Sequence, residues 1–380
     1  MTVERTGPLV GLRVLEMNAI GPVPFAGGLL ADLGADVLRI EAPGPQLGVV
    51  DADRAIHLRG RSAVTVDLRD ADGLAVARQL ADRADVLLEG YRPGVMERLG
   101  LDPEELLARN PGLIIGRMTG WGQDGPMAKQ AGHDINYIAA AGALGSFARS
   151  GQAPVPPVNV AGDFGGGAMF LLVGVLAALW ERQQSGKGQI VDAAMVDGAA
   201  YLMMLVYSMA GQGLWDATTP GENLLDTGAP FYDVYECADG GYLAVGCLEP
   251  KFYAEFISGL ELTETDLPEQ YDRECWPQLR QIFTDRIASR SRDDWEQQFA
   301  GTDACVTAVR SLTEAAQHPQ LAARHTLLPT NPLQPGPAPR LSRTPGRAVP
   351  RADMAHGKQA LRGWGIDEEL ATRVAGGEDE

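Results

Sequence analysis

The chain has 380 residues, 45% of them hydrophobic and 22% charged, and its 32 basic and 50 acidic side chains give a formal net charge of −18. That length supports a large core and two domains, or one domain with a substantial insertion. So acidic a surface excludes nucleic acid as a partner, because phosphate backbones need fields of Lys and Arg, and an anionic small molecule would need basic contacts gathered locally.

In chain order, G-L-R-V-L-E-M (11–17) predicts a buried strand, and after a Pro/Gly turn A-G-G-L-L-A-D-L-G (26–34) predicts a helix stopped at Gly34. Further strands are expected at 35–41, 62–68, 85–91 and 113–120, with helices at 73–83 and 103–109 between them. This β-α-β alternation is the pattern of an α/β, doubly wound parallel sheet. The first strand is followed by G-P-V-P rather than G-x-G-x-x-G, so no dinucleotide is implied. Residues 163–184 are the strongest helical stretch; the apolar run from Ala168 to Trp180 is shorter than the ~20 residues that span a bilayer and reads as a buried helix. A strand at 189–194 and an apolar helix through Ala210 complete a large domain over 1–211, and the Gly-rich polar stretch 212–228 reads as a linker. Y-D-V-Y-E-C and G-Y-L-A-V-G-C flank A-D-G, a hairpin signal. With helices at 250–259, 274–289 and 292–299 and a short strand at 306–309, it makes a smaller α+β domain over 229–328. Proline-rich 329–352 looks extended and returns the chain, so 329–380 joins the large domain.

The four cysteines, Cys237, Cys247, Cys275 and Cys305, form no C-x-x-C pair and have no histidine at metal-ligand spacing. They read as free thiols of a reducing compartment, with no metal. No hydrophobic signal region opens the sequence and no S-K-L address closes it. The expectation is a cytoplasmic protein with no membrane partner.

Four groups of residues could carry chemistry. In A-G-H-D-I-N-Y, His133 is crowded by Asp134, Asn136 and Tyr137 after a Gly-rich stretch, a setting for a site wall; a lone histidine is otherwise more often structural. In N-V-A-G-D-F-G-G-G, Asp163 opens a long helix, where an Asp is also a preferred N-cap. The glycines beside it leave backbone N–H groups open to a ligand. Glu249, before the helix at 250–259, reads by itself as a solvated helix-start acid. Arg92 and Arg98 follow a strand end, and Arg59, Arg61 and Arg69 lie in the preceding unit. Such a cluster suits phosphates as well as surface solubility.

The sequence resembles the α-methylacyl-CoA racemases, within the family III CoA-transferase superfamily. The likeness is carried by L-A-D-L-G-A-D-V-L-R-I-E, G-Y-R-P-G-V-x-E-R-L-G, M-T-G-W-G-Q-x-G-P, A-G-H-D-I-N-Y, G-D-F-G-G-G-x-M-F and G-x-G-Q-x-V-D-A-A-M-V-D-G, in fixed order from about residue 8 to 345. The resemblance implies an interlocked homodimer in which CoA lies on one subunit's large domain and the partner's small domain closes the site. It implies His133 and Asp163 as the two catalytic acid/base groups, Glu249 as the acid pairing with the histidine across the subunit boundary, and Asn159 as their neighbour. It further implies Val66, Asp67, Leu68 and Arg69, then Gly90, Tyr91 and Arg92, Arg98, and Gly132, Asp134, Ile135, Asn136 and Tyr137 as CoA-contacting positions. Relatives often carry a basic residue after V-L-R-I-E; here Ala42-Pro43-Gly44 stand instead, so the phosphate end would fall to Arg59 or Arg61.

The implied reaction takes a proton from the α-carbon of a 2-methylacyl-CoA and returns it on either face. An α-proton beside a thioester is a very weak acid, so a base must touch it and a donor must hold the enolate oxygen. The Asp163 backbone N–H is the expected donor. No cofactor beyond the CoA of the substrate is needed. Two alternatives remain open: a CoA-transferase using Asp163 as nucleophile, and a non-catalytic acyl-CoA-binding protein.

Overall fold

Strands that are apolar on both faces need helices on both faces, and the first part of the chain supplies the two in alternation. The computed structural model describes residues 4–44 and 55–376. β1 (Arg13–Glu16), β2 (Asp36–Glu41), β3 (Arg61–Thr65), β4 (Val86–Glu89), β5 (Ile114–Thr119) and β6 (Ile190–Ala194) pair in parallel in the order β3-β2-β1-β4-β5-β6. The order reverses between β1 and β4, and the crevice outside their carboxyl ends is where open sheets of this kind bind ligands.

Among the described residues up to 202, the α- and π-helices of this unit are α1 (Pro22–Asp32), α2 (Ala71–Ala81), α3 (Val95–Arg98), α4 (Pro103–Arg109), α5 (Asp134–Ala140), a π-helix over Val160–Ala168, α6 (Met169–Ser185) and α7 (Met195–Leu202). Val23 and Leu30 of α1 and Leu171 and Val175 of α6 cover Val14, Val37 and Ile114 on one face. Val76 and Leu80 of α2 cover Leu15, Leu38 and Leu87 on the other, together with Leu361 and Trp364 from the end of the chain. α1 begins earlier than expected because Pro22 and Pro24 sit in its first turn, where a missing N–H costs no hydrogen bond. The returning segment is stitched to the sheet's edge strand, with Gly60 N–H donating to the Val349 carbonyl (2.8 Å) and Ala63 N–H to that of Ala355 (3.1 Å).

The chain divides into one unit of residues 1–141, 158–202 and 319–380 and a second of 142–157 and 203–318. This differs from the expected division, which left 142–157 and the helix before 211 with the large domain. Arg149 explains part of the difference: it ion-pairs at 2.7 Å with the buried Asp233 of the second unit, a tie that local sequence does not display. The stretch 212–228 is a knot rather than a free linker. The buried Asp226 carboxylate accepts from Gly221 N, Asn223 N and Asn223 Nδ2 at 2.7–2.8 Å, so turn residues that read as flexible are fixed by their own side chains.

After α8 (Met204–Gly211), the second unit contains an antiparallel sheet of β7 (Tyr232–Glu236), β8 (Tyr242–Gly246) and β9 (Val306–Ala308). α9 (Pro250–Gly259), α10 (Trp276–Ile287) and α11 (Arg292–Phe299) pack with it around Phe231, Phe256, Phe283 and Trp295.

Candidate active site

The loops that follow β1, β4 and β5 enclose a cleft of about 480 Å³. His133 and Asp163 both line it, with Asn159, Tyr137, Gly132 and Gly90 to Arg92. His133 is the N-cap of α5, in extended backbone, and its N–H donates to the Asn136 side-chain oxygen at 3.0 Å. The imidazole is thus carried on an anchored helix start and is itself exposed.

Asp163 lies in the first turn of the π-helix, a wide turn that is often found at functional sites. One of its oxygens accepts from Asn159 Nδ2 at 3.1 Å. Burial holds the Asp163 carboxyl above the usual carboxylate range; the Asn159 hydrogen bond opposes this, the nearby Asp134 charge adds to it, and His133 opposes it. Gly21, ahead of α1, has a φ of +67°, and a β-carbon there would stand 3.2 Å from Asp163 Oδ2. Only glycine meets both the conformation and the close approach.

The donor expected for an enolate is already engaged. Asp163 N–H donates to Asp134 Oδ2 at 2.7 Å, and so does Gly162 N–H. The first N–H groups of a helix have no acceptor within it, and Asp134 supplies one from a different element. Asp134 is therefore buried with its charge on backbone N–H groups, where the sequence suggested a CoA contact.

Tyr91 lines this cleft and also a neighbouring one of about 320 Å³ that holds Val66, Asp67, Leu68, Arg69, Ala42 and Pro43. The expected CoA stretches thus gather at the carboxyl ends of β1 to β4. Glu89, which sequence reading passed over, fixes the Tyr91 turn. Its buried carboxylate accepts from Tyr91 N at 2.6 Å and from Arg117 Nε at 2.8 Å. Burial, first, and the Glu89 charge push the Tyr91 phenol up to about 12. The available signal was an arginine in the middle of an otherwise apolar strand, I-I-G-R-M-T, which needs a buried acid.

Arg59 and Arg61 do not replace the missing basic residue. Arg61 is fully buried on Glu16, at 2.8 Å, and Arg59 is bound to Asp32, to Gln334 and to the Pro335 carbonyl. Arg39 also meets Glu16, so the buried carboxylate takes both guanidinium groups. Of the five candidate arginines, those that stay exposed are Arg69, paired with Asp67 at 2.8 Å, and Arg92 and Arg98. Ile135 is exposed at the start of α5. Glu249 belongs to the second unit: it precedes α9, is exposed, and its side chain makes no cap hydrogen bond to that helix.

The family model for CoA-transferase family III matches residues 9–357. This chain belongs to that family. Among similar members, it is 43% identical to an alpha-methylacyl-CoA racemase of Mus musculus over 95% of this chain and 94% of that one. It is 40% identical to the Homo sapiens alpha-methylacyl-CoA racemase over the same shares. A solved family structure, a CAIB/BAIF family protein from Brucella suis, superposes with a TM-score of 0.76 at 25% identity, over 91% of this chain and 97% of that one. As a family III member, the chain carries its imidazole and its carboxylate on one cleft at the end of the sheet.

Proposed function

We propose that this chain is a racemase that interconverts (R)- and (S)-2-methylacyl-CoA thioesters through an enolate. The observation that carries the reading is the meeting of His133 and Asp163 in one cleft. Inverting a carbon by proton transfer needs an acid and a base on opposite faces, and each positioned group is worth ~10²–10⁴ in rate. Burial raises the Asp163 carboxyl and the nearby His133 opposes that rise, so the two groups are electrostatically linked. The high identity to two racemases supports the same substrate class.

In this reading the substrate's CoA lies along the neighbouring cleft, with Val66 to Arg69 and Tyr91 as its walls. Arg92, Arg98 and Arg69 receive its phosphates in place of a residue at Ala42. With Asp163 N–H engaged, the enolate oxygen falls to the first turn of α5, where the N–H groups of Asp134 and Ile135 have no acceptor within the helix. No cofactor enters this reaction beyond the substrate's own CoA.

The active form is proposed as a homodimer, with Glu249 of one copy orienting His133 of the other. The apolar surface supports this. Val160–Ser185 is long and apolar enough to cross a membrane by length and composition, yet one face packs on the sheet. Met169, Val173, Leu176 and Trp180 form an exposed stripe at helical spacing on the opposite side. A second copy that covers this stripe accounts for it in a cytoplasmic protein.

The test is incubation of one enantiomer of a 2-methylacyl-CoA with the enzyme and no free acid. Formation of the other enantiomer is expected. Turnover that begins only when a carboxylic acid acceptor is added would make the chain a transferase, with Asp163 as nucleophile.

A further inference from the structure

One buried carboxylate ties the two reacting groups together through the backbone. Asp134 follows His133 directly and is the first residue of α5. It is 6% exposed, and its Oδ2 accepts the N–H groups of Gly162 and Asp163, each at 2.7 Å. Gly162 makes the approach possible, because a β-carbon at that position would lie 2.5 Å from the same oxygen. The helix start that carries the imidazole is therefore held to the turn that carries the carboxyl by one side chain, across 29 residues of sequence.

We propose that Asp134 is a positioning residue whose carboxylate clamps the first turn of the π-helix to the start of α5 and so sets the spacing between His133 and Asp163. The proposal rests on the racemase reading. In a two-base reaction the α-carbon must lie within reach of both groups, at ~3–3.5 Å, and a drift of ~1 Å costs rate by ~10². The Val66 to Arg69 walls lie on other elements and do not depend on the clamp. Its loss should therefore appear in kcat rather than in KM.

Three variants test this. D134A removes the oxygen that accepts both N–H groups. D134N keeps one oxygen for the two N–H groups; the other oxygen of Asp134 has no hydrogen-bond partner among the described residues, so the amide nitrogen replaces it without breaking a bond. G162A touches neither reacting group but drives a methyl against the clamp. Racemisation and α-deuterium exchange are measured with thermal melts as the control for folding. D134A and G162A are expected to lose at least ~100-fold in kcat with KM within about threefold, while D134N keeps about a tenth or more of the wild-type rate. If D134A does not fold, D134N and G162A decide the matter. The clamp is overturned by a D134N enzyme that folds but falls ~100-fold or more, by a G162A enzyme with wild-type kcat, or by losses confined to KM. Failure of the racemase reading itself looks different, because the wild type would then neither racemise nor exchange.

Discussion

Burial raises the Asp163 carboxyl above its usual range and so makes its charged form a burden on the fold. Because its folded-state pKa is raised, the neutral form favours folding, and that contribution fades as pH rises through the raised value. Asp163→Asn should therefore melt slightly above the wild type at pH 8, the gain being small because solvent screens a half-buried group. At pH 3, where both states of the wild type are protonated, the difference should vanish. Racemisation should fall by ~10²–10⁴ in the same variant. Differential scanning calorimetry at the two pH values checks the first part; a chiral assay checks the second. The two candidate acid/base residues stood out in the sequence, in A-G-H-D-I-N-Y and G-D-F-G-G-G, and the structure brings both to one cleft. The engagement of Asp163 N–H was not legible, because its acceptor Asp134 lies 29 residues away and belongs to another element. The role expected of Arg59 and Arg61 failed for a related reason: a charge read as exposed was already matched by an acid on another strand or helix.

At the scale of elements, the sheet edge near the site rests on a fully buried ion pair. Glu16 of β1 and Arg61 of β3 are both 0% exposed, and Arg39 of β2 reaches the same carboxylate. Three adjacent strands are cross-linked by one acid. Arg39 also donates to Asn18 Oδ1 (3.0 Å) and to the Ala19 carbonyl (3.1 Å), and so holds the turn that presents Ile20 and Gly21 to the cleft. Glu16→Leu would strand two buried guanidinium groups and should cost about 3–5 kcal/mol. Denaturant unfolding measures this, and a loss below ~1 kcal/mol would show that the pair is not the support described. The strands and their parallel order followed from apolar runs separated by helical periodicity, and the six-stranded sheet has the expected character. Boundaries were less legible where a side chain sets them. The knot at Asp226 fixes a stretch that its glycines and polar residues made look like a linker, and the break after α7 divides an apolar run that has no Pro to mark it.

For the whole molecule, the dimer proposal yields a complementation test. H133A and E249A should each be inactive or nearly so as homodimers. In a mixed dimer, one site has His133 from one chain and Glu249 from the other, both intact. Co-expression of the two variants should then restore about a quarter of the wild-type activity, from random pairing and one live site per mixed dimer. No recovery, with mixed dimers present, would place Glu249 and His133 in the same chain or separate their roles. The stripe on α6 gives a second check. Trp180 is 67% exposed, and Trp180→Glu should shift sedimentation toward the monomer and lower activity with it. A variant that stays dimeric and fully active would remove this stripe from the interface. The sequence suggests a second copy only through family resemblance, because apolar helix periodicity does not tell a core face from an interface face.

The central claim, two acid/base groups on opposite faces of one carbon, is tested most directly by isotope content during the first turnovers in deuterated water. Starting from one unlabelled enantiomer, the enzyme should release the opposite enantiomer carrying deuterium at the α-carbon while the remaining substrate still carries protium. Product that retains the original proton would contradict the account, since a single base would then have moved it from one face to the other.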